Sequence, residues 1–207
     1  SFNNPVSITA NTAALPTVAA VEYQDSSGSV FFGGTSSLTI TGGAGTGIVI
    51  GELGTDNTGQ FRVNGQTNIN SIVNGIDIFD DQSQIRFNGV AIDDRSGFGI
   101  SIVDHSVNGI TFDSTTTVGN SQAAQAAAVG ISGNSSSIAF ETLALTDSEF
   151  LGLIILDNPS FVSIQDFDAQ SNSGPTLFVR NAGVVTPLVN DPEFTTETDG
   201  GLQILSG

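Results

Sequence analysis

This 207-residue chain has no Cys, which excludes a disulfide framework, a thiolate metal site and a Cys nucleophile. It has no Lys and only four Arg, against 21 Asp and Glu, so its formal charge is −17. Nucleic-acid and anionic-lipid surfaces need clustered cations, so neither is expected as a partner. Met and Trp are absent, and His occurs once. The hydrophobic residues, 38% of the chain, are dispersed without a long run, which disfavours both disorder and membrane insertion. A chain that begins at Ser1 and lacks Met is expected to be processed or to be a piece of something longer.

What is abundant is Gly, 25 residues of it, and a repeat of 24 residues. Ser83–Ser106, Ser136–Pro159 and Ser160–Gly183 align without gaps, and Gly59–Gln82 fits the same frame. Ile85, Ile138 and Val162 share one column, and Phe87, Phe140 and Ile164 the next. Val90/Leu143/Phe167 and Ile92/Leu145/Ala169 follow, then Ile100/Leu153/Leu177 and Ile102/Ile155/Val179. Apolar residues alternate in runs of a few residues, which is strand periodicity, and Gly, Asn, Asp and Ser fill the intervals, which is turn chemistry.

Three short strands per 24 residues predict one all-β domain over residues 1–207, a right-handed parallel β-helix of seven to eight coils. At ~4.8 Å per coil this is a rod of roughly 35–40 Å. A leucine-rich repeat would need an Asn ladder and Leu spacing, and an antiparallel sandwich would not keep columns 24 residues apart. Residues 37–183 are expected as regular coils, with a five-residue surplus near 113–128 where QAAQAAA forms either a helical turn or a bulged loop. Residues 1–36 are expected as an irregular coil or strand-adding segment, and 184–207 as a C-terminal coil.

The Gly-Ile-x-Ile strands and Asn/Asp corners over Gly59–Gly183 resemble those of right-handed parallel β-helix proteins of bacterial surfaces, the autotransporter and haemagglutinin passengers. That resemblance implies a secreted or surface-displayed structural or adhesive protein without enzymatic activity. The same architecture also hosts pectate lyases and polygalacturonases, so a carbohydrate-active or carbohydrate-binding protein using acidic corners is the alternative.

Three sets of residues are candidates for chemistry. Carboxylate pairs at Asp80-Asp81 and Asp93-Asp94, with Asp104-His105 beside them, suit a glycosidase, but the Gly-His-Gly and Arg-x-Lys of polygalacturonases are missing. The corner column Asp80, Asp104 and Asp157, continued by Asn181 and interrupted by Gly133, stacks carboxylates about 5 Å apart. No cofactor is expected, and calcium is the ion such a column would recruit. The plainer reading is that Asp and Asn fill tight corners because they tolerate left-handed geometry. His105, beside Asp104, reads as a solvated turn residue, since sequence places no Ser near it.

Contact surfaces form the last group. Phe79, Val103, Ile154, Leu156 and Phe178 fall at outward positions of the third strand and are expected to form a vertical apolar stripe. Either a terminal segment or the insertion covers it, or a partner does. Val6 and Ile8 lie in an alternating segment able to add as a strand, and Leu202 and Ile204 lie in the last coil. Together they suggest head-to-tail self-association, with surface glycans or another exoprotein as further partners.

Overall fold

The computed structural model describes residues 2, 4–9, 19–33, 37–43, 45–51, 54, 57–119, 126–147, 151–170, 176–180, 182, 185–187, 193–195 and 202–205. Of residue 71 and the last three stretches it describes the backbone alone. Five short strands come first: β1 (Val6–Thr9), β2 (Val21–Tyr23), β3 (Ser29–Phe32), β4 (Leu38–Thr41) and β5 (Thr46–Ile50). Five pairs of one long and one short strand follow. These are β6 (Gln60–Ile72) and β7 (Asn74–Phe79), β8 (Gln84–Arg95) and β9 (Ile100–Val103), β10 (Ile110–Val118) and β11 (Val129–Ser132), β12 (Ile138–Thr146) and β13 (Leu153–Leu156), and β14 (Val162–Gln170) and β15 (Leu177–Arg180). The last strands are β16 (Val185–Pro187), β17 (Glu193–Thr195) and β18 (Leu202–Leu205). Among the described residues there is no helix.

All pairings between these strands are parallel, and they build two sheets. The first runs β1-β4-β6-β8-β10-β12-β14-β16, with β3 beside β6 and β17 beside β14. The second runs β18-β15-β13-β11-β9-β7-β5-β2. The fold is thus the expected parallel β-helix. Its uninterrupted turns, from β6 to β15, number five rather than seven or eight, and shorter strands extend both sheets beyond them.

The expected columns are the observed ladders. Ile138 pairs with Val162 and Phe140 with Ile164 in the first sheet, and Leu153 pairs with Leu177 in the second. Two of the three strands expected per turn are one continuous strand, because the polar interval between them is too short for a corner. It is absorbed instead as a bulge, seen as register shifts between Val63 and Gln66 and between Phe112 and Thr115. At the two ends of the stack that span is divided into separate strands, β3 and β4 beside β6 and β16 and β17 beside β14. The surplus of the β10–β11 turn is spread out. Ile110 pairs with Ile85 and Thr116 with Val90, so one extra residue enters at the Val107 corner and another at Ser114, both with positive φ. The rest lies between Val118 and Val129, and the QAAQAAA stretch falls largely outside the described residues.

Inward side chains fill the space between the sheets. Phe61, Phe87, Phe112 and Phe140 are fully buried and stack along the axis. Their ring centroids are 5.7, 5.5 and 4.5 Å apart, with the last two pairs nearly parallel. Glycine is required where the chain enters the second sheet: a Cβ on Gly75 would sit 2.3 Å from the carbonyl oxygen of Gly99 in the next turn. One position works against stability. Thr116 stands in the apolar column between Val90 and Leu143, and its buried hydroxyl has no hydrogen-bond partner among the described residues. Such an orphan costs about 1–3 kcal/mol. Thr116→Val is therefore expected to raise the unfolding free energy by about 1 kcal/mol in denaturant titration; a loss of similar size would mean that the hydroxyl is bonded.

Candidate functional site

Among the described residues, most of the buried polar side chains lie at the corner that leads from the second sheet back to the first. Asp80, Asp104, Gly133 and Asp157 end β7, β9, β11 and β13 with φ of 46°, 55°, 69° and 46°. This left-handed step reverses the chain, and Asp and Gly tolerate it. The three acids face separate partners. Asp80 accepts the Gly54 N–H at 2.8 Å, Asp157 lies 3.4 Å from Arg180, and Asp104 fills the space left by the missing side chain of Gly133. Among the described residues no three His, Asp or Glu side chains group closely enough to hold a metal ion.

The next residue of each corner turns inward. Asn57, Asp81, His105, Asn134 and Asn158, one per turn, are all fully or almost fully buried. They form a hydrogen-bonded ladder along the axis. Asn57 donates to the Tyr23 carbonyl at 2.8 Å and to Asp81 at 2.6 Å. Asp81 also accepts the N–H and hydroxyl of Ser83. The His105 N–H donates to Asn134 Oδ1 at 2.8 Å, and the Asn134 N–H to Asn158 Oδ1 at 2.9 Å. Asn158 closes on Ser160.

His105 is therefore not a solvated turn residue, and its burial corrects that expectation. Its Nε2 lies 3.0 Å from the Ser83 carbonyl and 3.5 Å from Asp81 Oδ1. Both are acceptors, so Nε2 carries the hydrogen and donates. In the singly protonated ring Nδ1 then accepts from the Ser136 hydroxyl, 2.6 Å away. Ser136, His105 and Asp81 form a Ser-His-Asp constellation drawn from three successive turns. It is sealed, however: His105 is 0% exposed, Asp81 1% and Ser136 5%, which leaves no approach for a substrate. Its role is to clamp turns.

Burial pushes the Asp81 carboxyl up, but hydrogen bonds from His105, Ser83 and Asn57 together outweigh it and hold the group below the usual carboxylate range.

A second pair of acids borders a cleft. Asp93 and Asp147 line a cavity of about 380 Å³ together with Thr117, Gly119 and Thr146. Asp93 accepts the N–H of Asp94, itself a left-handed residue, so the Asp93-Asp94 pair is also turn chemistry.

The apolar outward residues do not make one stripe. The register assigns Asp77, Ser101, Gly130, Ile154 and Phe178 to one column and Phe79, Val103, Ser132, Leu156 and Arg180 to the other. Phe79 with Val103, and Ile154 with Leu156 and Phe178, are two half-buried patches separated by Gly130 and Ser132. The Phe98 ring lies over Gly130. Val6 and Ile8 cover neither patch, because β1 pairs with β4 in the other sheet. Leu202 and Ile204 pair with Leu177 and Val179, and their side chains lie outside the described residues.

The ladder gives a pH test. The folded pKa of Asp81 lies below the unfolded value of about 3.9, so its contribution is complete above that pH and fades as pH falls through the folded value. Asp81→Asn is expected to cost about 1–3 kcal/mol at pH 7. The gap to the unsubstituted protein holds down to about pH 5 and narrows below about pH 4 in unfolding titrations. A gap that widens in acid would contradict this role.

Comparison of the chain with protein-family models, with curated proteins and with solved structures finds no match, so the reading of these corners rests on their geometry and chemistry.

Proposed function

We propose that this chain is a non-enzymatic extracellular structural or adhesive β-helix, which assembles head to tail into a surface fibre or matrix. The observation that carries this reading is the fate of its reactive groups. The Ser136–His105–Asp81 constellation, which has the residue types of a hydrolase, is sealed between turns, where it holds the stack together. The corner acids face separate partners, so the alternative reading, a carbohydrate-active β-helix using those acids, has less support. Secretion and surface display fit the acidic, Lys-free surface and the resemblance to passenger domains.

Assembly follows from the sheet edges. β1 has a strand partner on one side, β4, and β2 on one side, β5; β16 and β18 stand at the opposite edges. β1 is not a free arm, since Val6–Thr9 pairs with Leu38–Thr41 of its own chain. Elongation therefore occurs edge to edge, without exchange of β1. β1, β16 and β18 contain no acid, whereas β2 and β17 carry Glu22 and Glu193, so charge opposes strand addition least at β1. A contact between unlike ends does not close and yields filaments.

The test uses backbone chemistry. Val6 donates its N–H to Ser37 of its own chain, so the alternation of a parallel strand directs the Ser7 N–H to the open side. Ser7→Pro removes that donor and keeps the β1–β4 bonds. Light scattering and electron microscopy at high protein and salt concentration are expected to reveal fibres of constant width for the unsubstituted chain. Ser7→Pro, with an unchanged melting temperature, is expected to remain monomeric. A monomeric unsubstituted chain, or fibres unaffected by Ser7→Pro, would overturn the edge-to-edge reading.

A further inference from the structure

Two consecutive turns present the same outward triplet. Gln60, Arg62 and Asn64 of β6 lie beside Gln84, Arg86 and Asn88 of β8, while the alternating Phe61, Val63, Ile85 and Phe87 are fully buried. The register pairs Gln60 with Gln84 and Arg62 with Arg86. On the other side β3 sets the half-buried Phe31 next to Arg62. In a chain with four Arg and 21 acids, two Arg thus stand on neighbouring strands, about 4.8 Å apart. Like charges at this spacing repel unless an anion lies between them.

The protein supplies only part of that anion. Arg86 pairs with Asp113 and keeps its side chain 49% exposed. Arg62 donates Nε to the neutral Asn64 side chain and meets no carboxylate among the described residues. The face is bounded in the following turns by Asp113 and Glu141, and Glu141 accepts the Ser114 N–H at 2.7 Å. What remains open is an aromatic ring, two guanidinium groups and flanking rows of side-chain amides, on three neighbouring strands of the first sheet.

We propose that the face formed by Phe31, Arg62 and Arg86 binds a carboxylate-bearing polysaccharide, a polyuronate. A guanidinium matches a carboxylate bidentately. The Gln60, Gln84 and Asn88 amides both donate and accept, as sugar hydroxyls do. The ring of Phe31 offers an apolar surface to a sugar face. An acidic peptide would use the guanidinium groups but not the amide rows. The net charge of −17 opposes any polyanion at long range. At 0.15 M salt the Debye length is about 8 Å, so the local groups decide. The proposal is independent of fibre formation, since a monomer presents the same face.

The experiment measures binding of the intact chain to alginate, dextran and polyglutamate by calorimetry at 0.15 M salt. Alginate is expected to bind, with dextran and polyglutamate at least about tenfold weaker. Arg62→Gln is expected to weaken alginate binding by about tenfold or more, and Arg62→Lys by less. Arg180→Gln changes the net charge equally but lies on the other sheet, and is expected to leave binding within about twofold. Melting curves verify that each variant is folded. Absence of alginate binding would overturn the proposal, as would equal losses from Arg62→Gln and Arg180→Gln. Polyglutamate binding as tight as alginate would reassign the face to acidic peptides.

Discussion

In a parallel β-helix every sheet hydrogen bond runs between turns, so a turn is satisfied only when its neighbours present the same register. That requirement governs the rest of the structure. Each corner must deliver the chain to the next strand at the same height, with no buried N–H or carbonyl left unpaired. The left-handed residues at 80, 104, 133 and 157 make the reversal. The buried residue after each supplies side-chain oxygen or nitrogen where strand pairing stops. His105 and Asn134 receive their backbone bonds this way, from the side chains of Asn134 and Asn158. Register in the sheets and polar satisfaction at the corners are two parts of one constraint.

Electrostatics is subordinate to it. Most acids occupy outward or corner positions, where water screens them and their sum keeps the rod sides apart. Among the described acids Asp81 alone is buried, inside the ladder, and its charge is tolerated because three residues hydrogen-bond it. Asp77 illustrates the opposite balance. Desolvation on the outer face of the second sheet dominates the hydrogen bonds from Asn74 and Thr46 and raises its pKa. Arg95, the largest fully buried side chain, also yields to desolvation, with its pKa lowered to about 10, which leaves it charged at neutral pH.

The fold was legible because ladder formation puts the same residue type at the same position in successive turns. Ile85, Ile138 and Val162 are in one column of the sequence for the same reason that they are in one column of the sheet. The strand count per turn was less legible, since a two-residue polar interval reads equally as a corner or a bulge. At the site, the corner was visible but its inside was not. Asp104 and His105 are adjacent, and only the sign of φ at Asp104 decides which of them faces the core. The column Asp81, His105, Asn134 and Asn158 was available as a signal, one polar residue per turn two positions after the end of β7, β9, β11 and β13. The repeated Gln-x-Arg-x-Asn pattern of Gln60–Asn64 and Gln84–Asn88 was equally available. The apolar stripe failed because the longest turn places Gly130 and Ser132 in the outward columns.

If the corners are as much a part of the inter-turn bonding as the sheets, their amides should open only when the whole stack opens. Native-state hydrogen exchange of the His105 and Asn134 amides tests this directly. Protection equal to that of Ile102 and Ile131 in the adjoining strands, and lost together with it in denaturant, is the predicted result. Corner amides that exchange orders of magnitude faster through local opening would contradict the account.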